Sequence, residues 1–102
     1  MTRLEQLRKL AEAMPHDPLA HYGVGLEQLA LQDWEGAAAA FDAALRADAR
    51  YVPAFYHKAR AQIAAGHGAA ARQTLATGMR LARELGDAHA EGEMRELLGS
   101  IA

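Results

Sequence analysis

The chain has no cysteine among its 102 residues. That excludes a disulfide framework, a thiolate nucleophile and a thiolate metal site. Charge of one sign is also missing: 11 Lys+Arg stand against 13 Asp+Glu, a formal net charge of −2. So even a balance argues against a general nucleic-acid or anionic-membrane binder. No apolar run approaches the length of a membrane span, and the N-terminus has no apolar h-region. A soluble cytoplasmic protein is the expectation. β-branched residues are few, and no strand pattern emerges anywhere. What is present is alanine in quantity, within a hydrophobic share of 51%. The bias is helical, and the length supports one domain with a modest core.

The segment from Leu31 to Ala49 carries the clearest signal. Asp33 is placed as an N-cap, and Trp34, Ala37, Phe41, Ala44 and Leu45 follow on one helical face. Large side chains alternating with alanines let a second helix approach closely. Elsewhere, Thr2 and Glu5 form a capping box for a helix over roughly Arg3–Ala13 that Pro15 ends. Its apolar stripe is Leu4, Leu7, Leu10, Ala11 and Met14. Asp17-Pro18 opens a second helix running to about Leu31, and Asp33 a third ending near Ala47. Val52-Pro53 opens a fourth that Gly66 closes, and a fifth spans about Gly68–Glu84. Asp87 caps a sixth with Ala90, Met94, Leu97, Leu98 and Ile101 on one side. The links are short, so neighbouring helices pack antiparallel.

Shifting the chain by 34 residues overlays it on itself. Ala20 then meets Ala54, Tyr22 meets Tyr56, Gln28 meets Gln62 and Ala37 meets Ala71, with Phe41 on Leu75 and Leu45 on Met79. Small residues fall on small and large on large at successive inward positions. The period and the motifs His21-x-x-Val24-Gly25, Ala37-x-x-x-Phe41 and Ala71-x-x-x-Leu75 resemble the tetratricopeptide repeat (TPR) family. The departures are His21 for the usual tryptophan, Gln28 and Gln62 for the usual tyrosine, Ala49 for the closing proline and Gly78 for a small alanine-like residue. The resemblance implies an all-α, TPR-like α-solenoid of about six antiparallel helices. It divides the chain into an N-terminal half-repeat (1–17), repeats over 18–51 and 52–85, and a C-terminal capping helix (86–102). Glu93 stands where a small residue would pack, which marks the last helix as a cap rather than a third repeat.

Nothing nominates catalysis. Five histidines are present, but no pair has the spacing of a helical zinc site, and no H-E-x-x-H, G-x-S-x-G or Walker loop occurs. No enzyme, cofactor or metal is expected. In TPR proteins the first helices of the repeats line a concave groove that holds peptides. The resemblance places Leu19, Tyr22, Leu26, Leu29, Tyr56, His57, Arg60 and Ile63 there, with Asp87, Ala90, Glu91, Met94 and Leu97 as their counterparts on the last helix. The competing reading packs Leu26 and Leu29 against neighbouring helices. A carboxylate clamp does not fit, because its positions hold Tyr22, Leu26, His57, Asp87 and Glu91. A basic run in the second repeat is followed by Glu84, Asp87, Glu91, Glu93 and Glu96. It reads either as a solvated surface beside an acidic cap, or as a groove graded in charge. The expected function is non-catalytic binding of a protein or peptide, the alternative a homodimer closed by the same apolar face.

Overall fold

Local signals set the helices where the sequence puts them. A computed structural model describes residues 1–101, in which six helices run α1 (Arg3–Ala13), α2 (Pro18–Ala30), α3 (Trp34–Ala47), α4 (Pro53–Ala64), α5 (Gly68–Glu84) and α6 (Ala88–Gly99). There is no strand among the described residues. Thr2 Oγ1 accepts from the Glu5 amide at 3.1 Å, and the Thr2 hydroxyl itself donates to Glu5 Oε1. Asp17, Asp33 and Asp87 accept from the first-turn amides of Leu19, Gly36 and Ala90. Orphan donors at four of the six N-termini are thereby satisfied by side chains.

Successive helices pack as antiparallel neighbours in two layers, within a body measuring 39 × 28 × 18 Å. The short dimension is about two helix diameters. The first layer holds α2, α4 and α6, since α4 touches both α2 and α6. The core is three clusters strung along the array rather than one ball. Ala11, Ala20 and Val24 form the first; Ala37, Phe41, Ala44, Ala54 and Ala61 the second; the third gathers Phe55, Ala59, Leu75 and Met94. Each cluster draws on adjacent hairpins, as expected when no hairpin can bury its own stripe.

Close approach is bought with glycine at two points. A Cβ on Gly25 would lie 2.5–2.8 Å from the Phe41 ring, and one on Gly78 would lie 2.6 Å from Met94 Sδ and 2.7 Å from Phe55 Cβ. Both glutamines at the usual tyrosine position are buried or half-buried hydrogen-bonding groups. With its amide turned so that both ends are satisfied, Gln28 donates to the Gly36 carbonyl (2.9 Å) and accepts from Arg8 (3.3 Å). Gln62 accepts from the Thr74 hydroxyl at 2.7 Å. Each holds the two helices of its hairpin together.

One expectation needs correcting. Leu10 and Met14 are not inward: Leu10 is 46% exposed, although its 34-residue counterpart Ala44 is completely buried. Ala44 is packed among residues of α2, α3 and α4, whereas Leu10 has no buried cluster around it. On α6 the expected apolar side packs inward, but out of register with the 34-residue repeat. On α4, Ala54 and Ala61 face the preceding hairpin, which would assign Ala88 and Arg95 to that side of α6. Instead Ala90, Met94, Leu98 and Ile101 pack inward, so α6 is turned by about one residue. The cause lies upstream. Helix α5 runs three residues past the counterpart of α3's end, and the link to α6 shrinks to Leu85, Gly86 and Asp87. Met94 is core and completely buried, and it backs the first layer from α6.

Candidate functional site

The first layer forms one wall of a cavity of about 300 Å³. Tyr22 reaches it from α2 and Tyr56 and His57 from α4, while Asp87, His89 and Glu93 come from α6. Val52, Pro53, Ala90 and Met94 supply its apolar surface. Tyr22 is central to a ring cluster: its centroid lies 5.8 Å from Phe41, 5.4 Å from Tyr51 and 5.6 Å from His57. Phe41 stacks on His57 at 6.0 Å, and Tyr56 meets His57 edge-on at 5.1 Å. These are favoured aromatic geometries. They anchor the cavity rings on Phe41, which is completely buried.

The repeat explains the convergence. Tyr22 and Tyr56 are one period apart, so successive first helices project them side by side. His57 takes the counterpart position of Gly23, which packs under Leu7 of α1. It therefore points back toward the preceding hairpin, between Tyr22 and Phe41. Arg60, one turn on, places Nη1 3.2 Å from His57 Nδ1. Burial, then the Arg60 charge, pushes the His57 pKa below its ordinary value, against an opposing pull from Glu93. A neutral ring with Nδ1 accepting from the guanidinium satisfies both. Burial, reinforced by Tyr51 and Glu93 and opposed by Arg60, raises the Tyr22 phenol pKa. Burial, with Asp17 nearby, raises that of Tyr51.

The structure thus brings Tyr22, Tyr56 and His57 together with Arg60 alongside, and disperses the other expected groove residues. Leu19 is 60% exposed on the first turn of α2 and does not line the cavity. Leu26 lies over the shallow hollow between α1 and α2, with Leu7 and Gly23. Leu29 packs on the Phe41 cluster and Ile63 on the Leu75 cluster. Of the expected counterparts on α6, Glu91 turns away and pairs with Arg83 (2.7 Å) and Arg95 (3.0 Å), and Leu97 packs on the core. Most of the basic run lies away from the cavity, with Lys58 bound to Asp42 at 2.7 Å. Sequence reasoning missed Tyr51 and His89. An aromatic in the turn just before Val52-Pro53 was the available signal for Tyr51, and the i,i+4 spacing of His89 and Glu93 was the one for His89.

Other histidines have separate tasks. His21 donates from Nε2 to the Pro15 carbonyl at 2.8 Å, tying α2 to the preceding turn, and His67 pairs with Glu35 at 3.0 Å. Among the described residues no group of three His, Asp or Glu is placed to hold a metal ion, and no helix is long and apolar enough to cross a membrane.

A family model described as tetratricopeptide repeat matches residues 28–91, more than half of the chain. The chain belongs to the tetratricopeptide repeat family. TPR repeats generally mediate protein–protein interaction, and their fold is typically non-catalytic. The structure is similar to that of protein BPP2914 from Bordetella parapertussis, determined in solution. The two share 22% identity with a TM-score of 0.85, over 99% of this chain and 88% of that one. That likeness is one of fold. No curated protein matches the chain.

Proposed function

We propose that the chain is a non-catalytic binding module that holds a protein or peptide segment in the concave face of α2, α4 and α6. One observation carries this reading: Tyr22, Tyr56 and His57 converge from two successive first helices on an open cavity that α6 completes. Tyrosines supply contact area with a hydrogen-bonding tip at little entropic cost, which suits an interface. Selecting peptides from a random displayed library on the wild-type chain tests the reading. Binders should weaken at least tenfold on Tyr56→Ala and hold their affinity on Gln73→Ala, an exposed change on α5. Binders indifferent to Tyr56→Ala would refute it.

A homodimer is a second reading, favoured by a separate observation. Leu19 and Leu26, two turns apart on α2, remain 60% and 37% exposed. Light scattering that shows a dimer abolished by Leu19→Asp would favour it, and a monomer at all concentrations would dismiss it.

A further inference from the structure

We propose that the cavity between α2, α4 and α6 is an anchor site for a basic side chain, arginine above all, presented by the bound segment. The inference rests on the groove reading above and specifies the chemistry of what enters. The walls are ring surfaces, Tyr22 on one side and Tyr56 on the other, with His57 between them. The floor is apolar, and α6 sets two carboxylates, Asp87 and Glu93, against it. No lysine or arginine lines the cavity. A flat cation between ring faces, with carboxylates in reach of its N–H groups, combines cation–π attraction with charge-assisted hydrogen bonds.

Two carboxylates line the cavity against one nearby cation outside it. Arg60, the basic group nearest the rings, is directed at His57 Nδ1 (3.2 Å) and is not part of the lining. His57, its pKa lowered, adds an uncharged ring to the wall. Asp87 uses Oδ1 to cap α6 through the Ala90 amide (3.0 Å). Glu93 Oε1 lies 3.3 Å from His89 Nε2, a pair at an exposed edge that an incoming guanidinium can replace. An apolar side chain would desolvate both carboxylates without pairing them. An acidic one would meet them as like charges. The volume of about 300 Å³ lies at the bottom of the range for small-molecule pockets, which suits one side chain and not a cofactor.

Capped pentapeptides Ac-Ala-Leu-Xaa-Leu-Ala-NH2, with arginine, citrulline or glutamate at Xaa, test the site on the full chain. Binding is read from the NMR shifts of the Tyr22, Tyr56 and His57 ring signals. The arginine peptide should saturate those shifts, the neutral isostere citrulline should bind at least tenfold more weakly, and the glutamate peptide should leave them unmoved. Glu93→Gln and Asp87→Asn (asparagine still caps a helix) should each remove most of the preference for arginine over citrulline, with amide spectra showing an intact fold. Equal binding of arginine and citrulline, preference for glutamate, or no shift with any peptide overturns the proposal. So do ring shifts that change with protein concentration alone, because a second copy would then be the occupant. The two readings fail separately. Library peptides that depend on Tyr56 but show no basic preference would retain the groove and remove the anchor. An arginine preference at the rings, with library binders indifferent to Tyr56→Ala, would do the reverse.

Discussion

Gln32 is the one non-glycine residue with positive φ among the described residues, at 62°. Its 34-residue counterpart is Gly66 (φ 85°), and Gly86 (φ 72°) makes the same kind of turn before α6. An L-residue pays about 1–2 kcal/mol in this region, and Gln32 is exposed, so its side chain has little packing to lose. Gln32→Gly should therefore stabilise by about 0.5–1 kcal/mol, read as a melting midpoint a few degrees higher. Two helical glycines should respond in opposite directions. Gly25→Ala drives a Cβ into the buried Phe41 ring and should cost about 1–3 kcal/mol. Nothing lies within 4 Å of the Cβ position on Gly92, so Gly92→Ala should gain about 1 kcal/mol from helix propensity; denaturant midpoints decide both. His57 adds a pH dependence whose sign follows from its lowered pKa. Above its ordinary value of 6.5 both folded and unfolded chains hold it neutral. As pH falls through that value the unfolded chain takes up a proton that the folded one resists, so stability declines on acidification. Melts recorded from pH 7 to about pH 5 should fall less steeply for His57→Gln than for the wild type.

At the scale of elements, α6 shows how three residues redirect a helix. The extension of α5 to Glu84 shortens the next link and turns α6 by about one position. Met94 consequently fills the space that Gly78 leaves beside Phe55, and Glu93 meets the cavity. Met94→Ala should destabilise by about 2–5 kcal/mol, since it empties a completely buried site flanked by rigid helices. A smaller loss in chemical denaturation would show that α5 and α6 can close the gap. The Arg83–Glu91–Arg95 ion-pair group lies at the same hairpin with both arginines exposed. Exposed pairs contribute little, so packing by Met94, Leu98 and Ile101 fixes the rotation of α6.

The whole molecule is a short array with unlike ends. Helix α1 buries only Ala11 completely enough to count as core, whereas α6 contributes Met94 to the largest cluster. Stacked arrays usually need about three repeats, so we propose that both end helices are needed for stability. Removing residues 1–15 or everything after Gly86 should lower the thermal midpoint, the second deletion more than the first. Circular dichroism melts of the two truncated chains check the order, and an unchanged cooperative melt of either would contradict it. The second deletion also removes Asp87 and Glu93, so it abolishes the proposed basic-side-chain site along with α6.

What the sequence determined alone is everything that depends on a few consecutive residues or on their period. Asp17-Pro18, Asp33 and Asp87 start helices, Gly66 and Gly86 stop them, and the overlay at 34 residues stacks Tyr22 beside Tyr56. These are short-range constraints on backbone hydrogen bonds and on repeated size, and they survive translation along the chain. Only the tertiary structure decided which face each helix presents where the repeat is interrupted. Leu10 stayed half exposed although its apolar stripe is intact, and Leu29 and Ile63 packed on the core clusters. Glu93 came to the cavity because the register of α6 depends on the length of α5 and on the volume beside Gly78. A helix carries its stripe in its sequence, but its angle about its own axis is set by what it packs against.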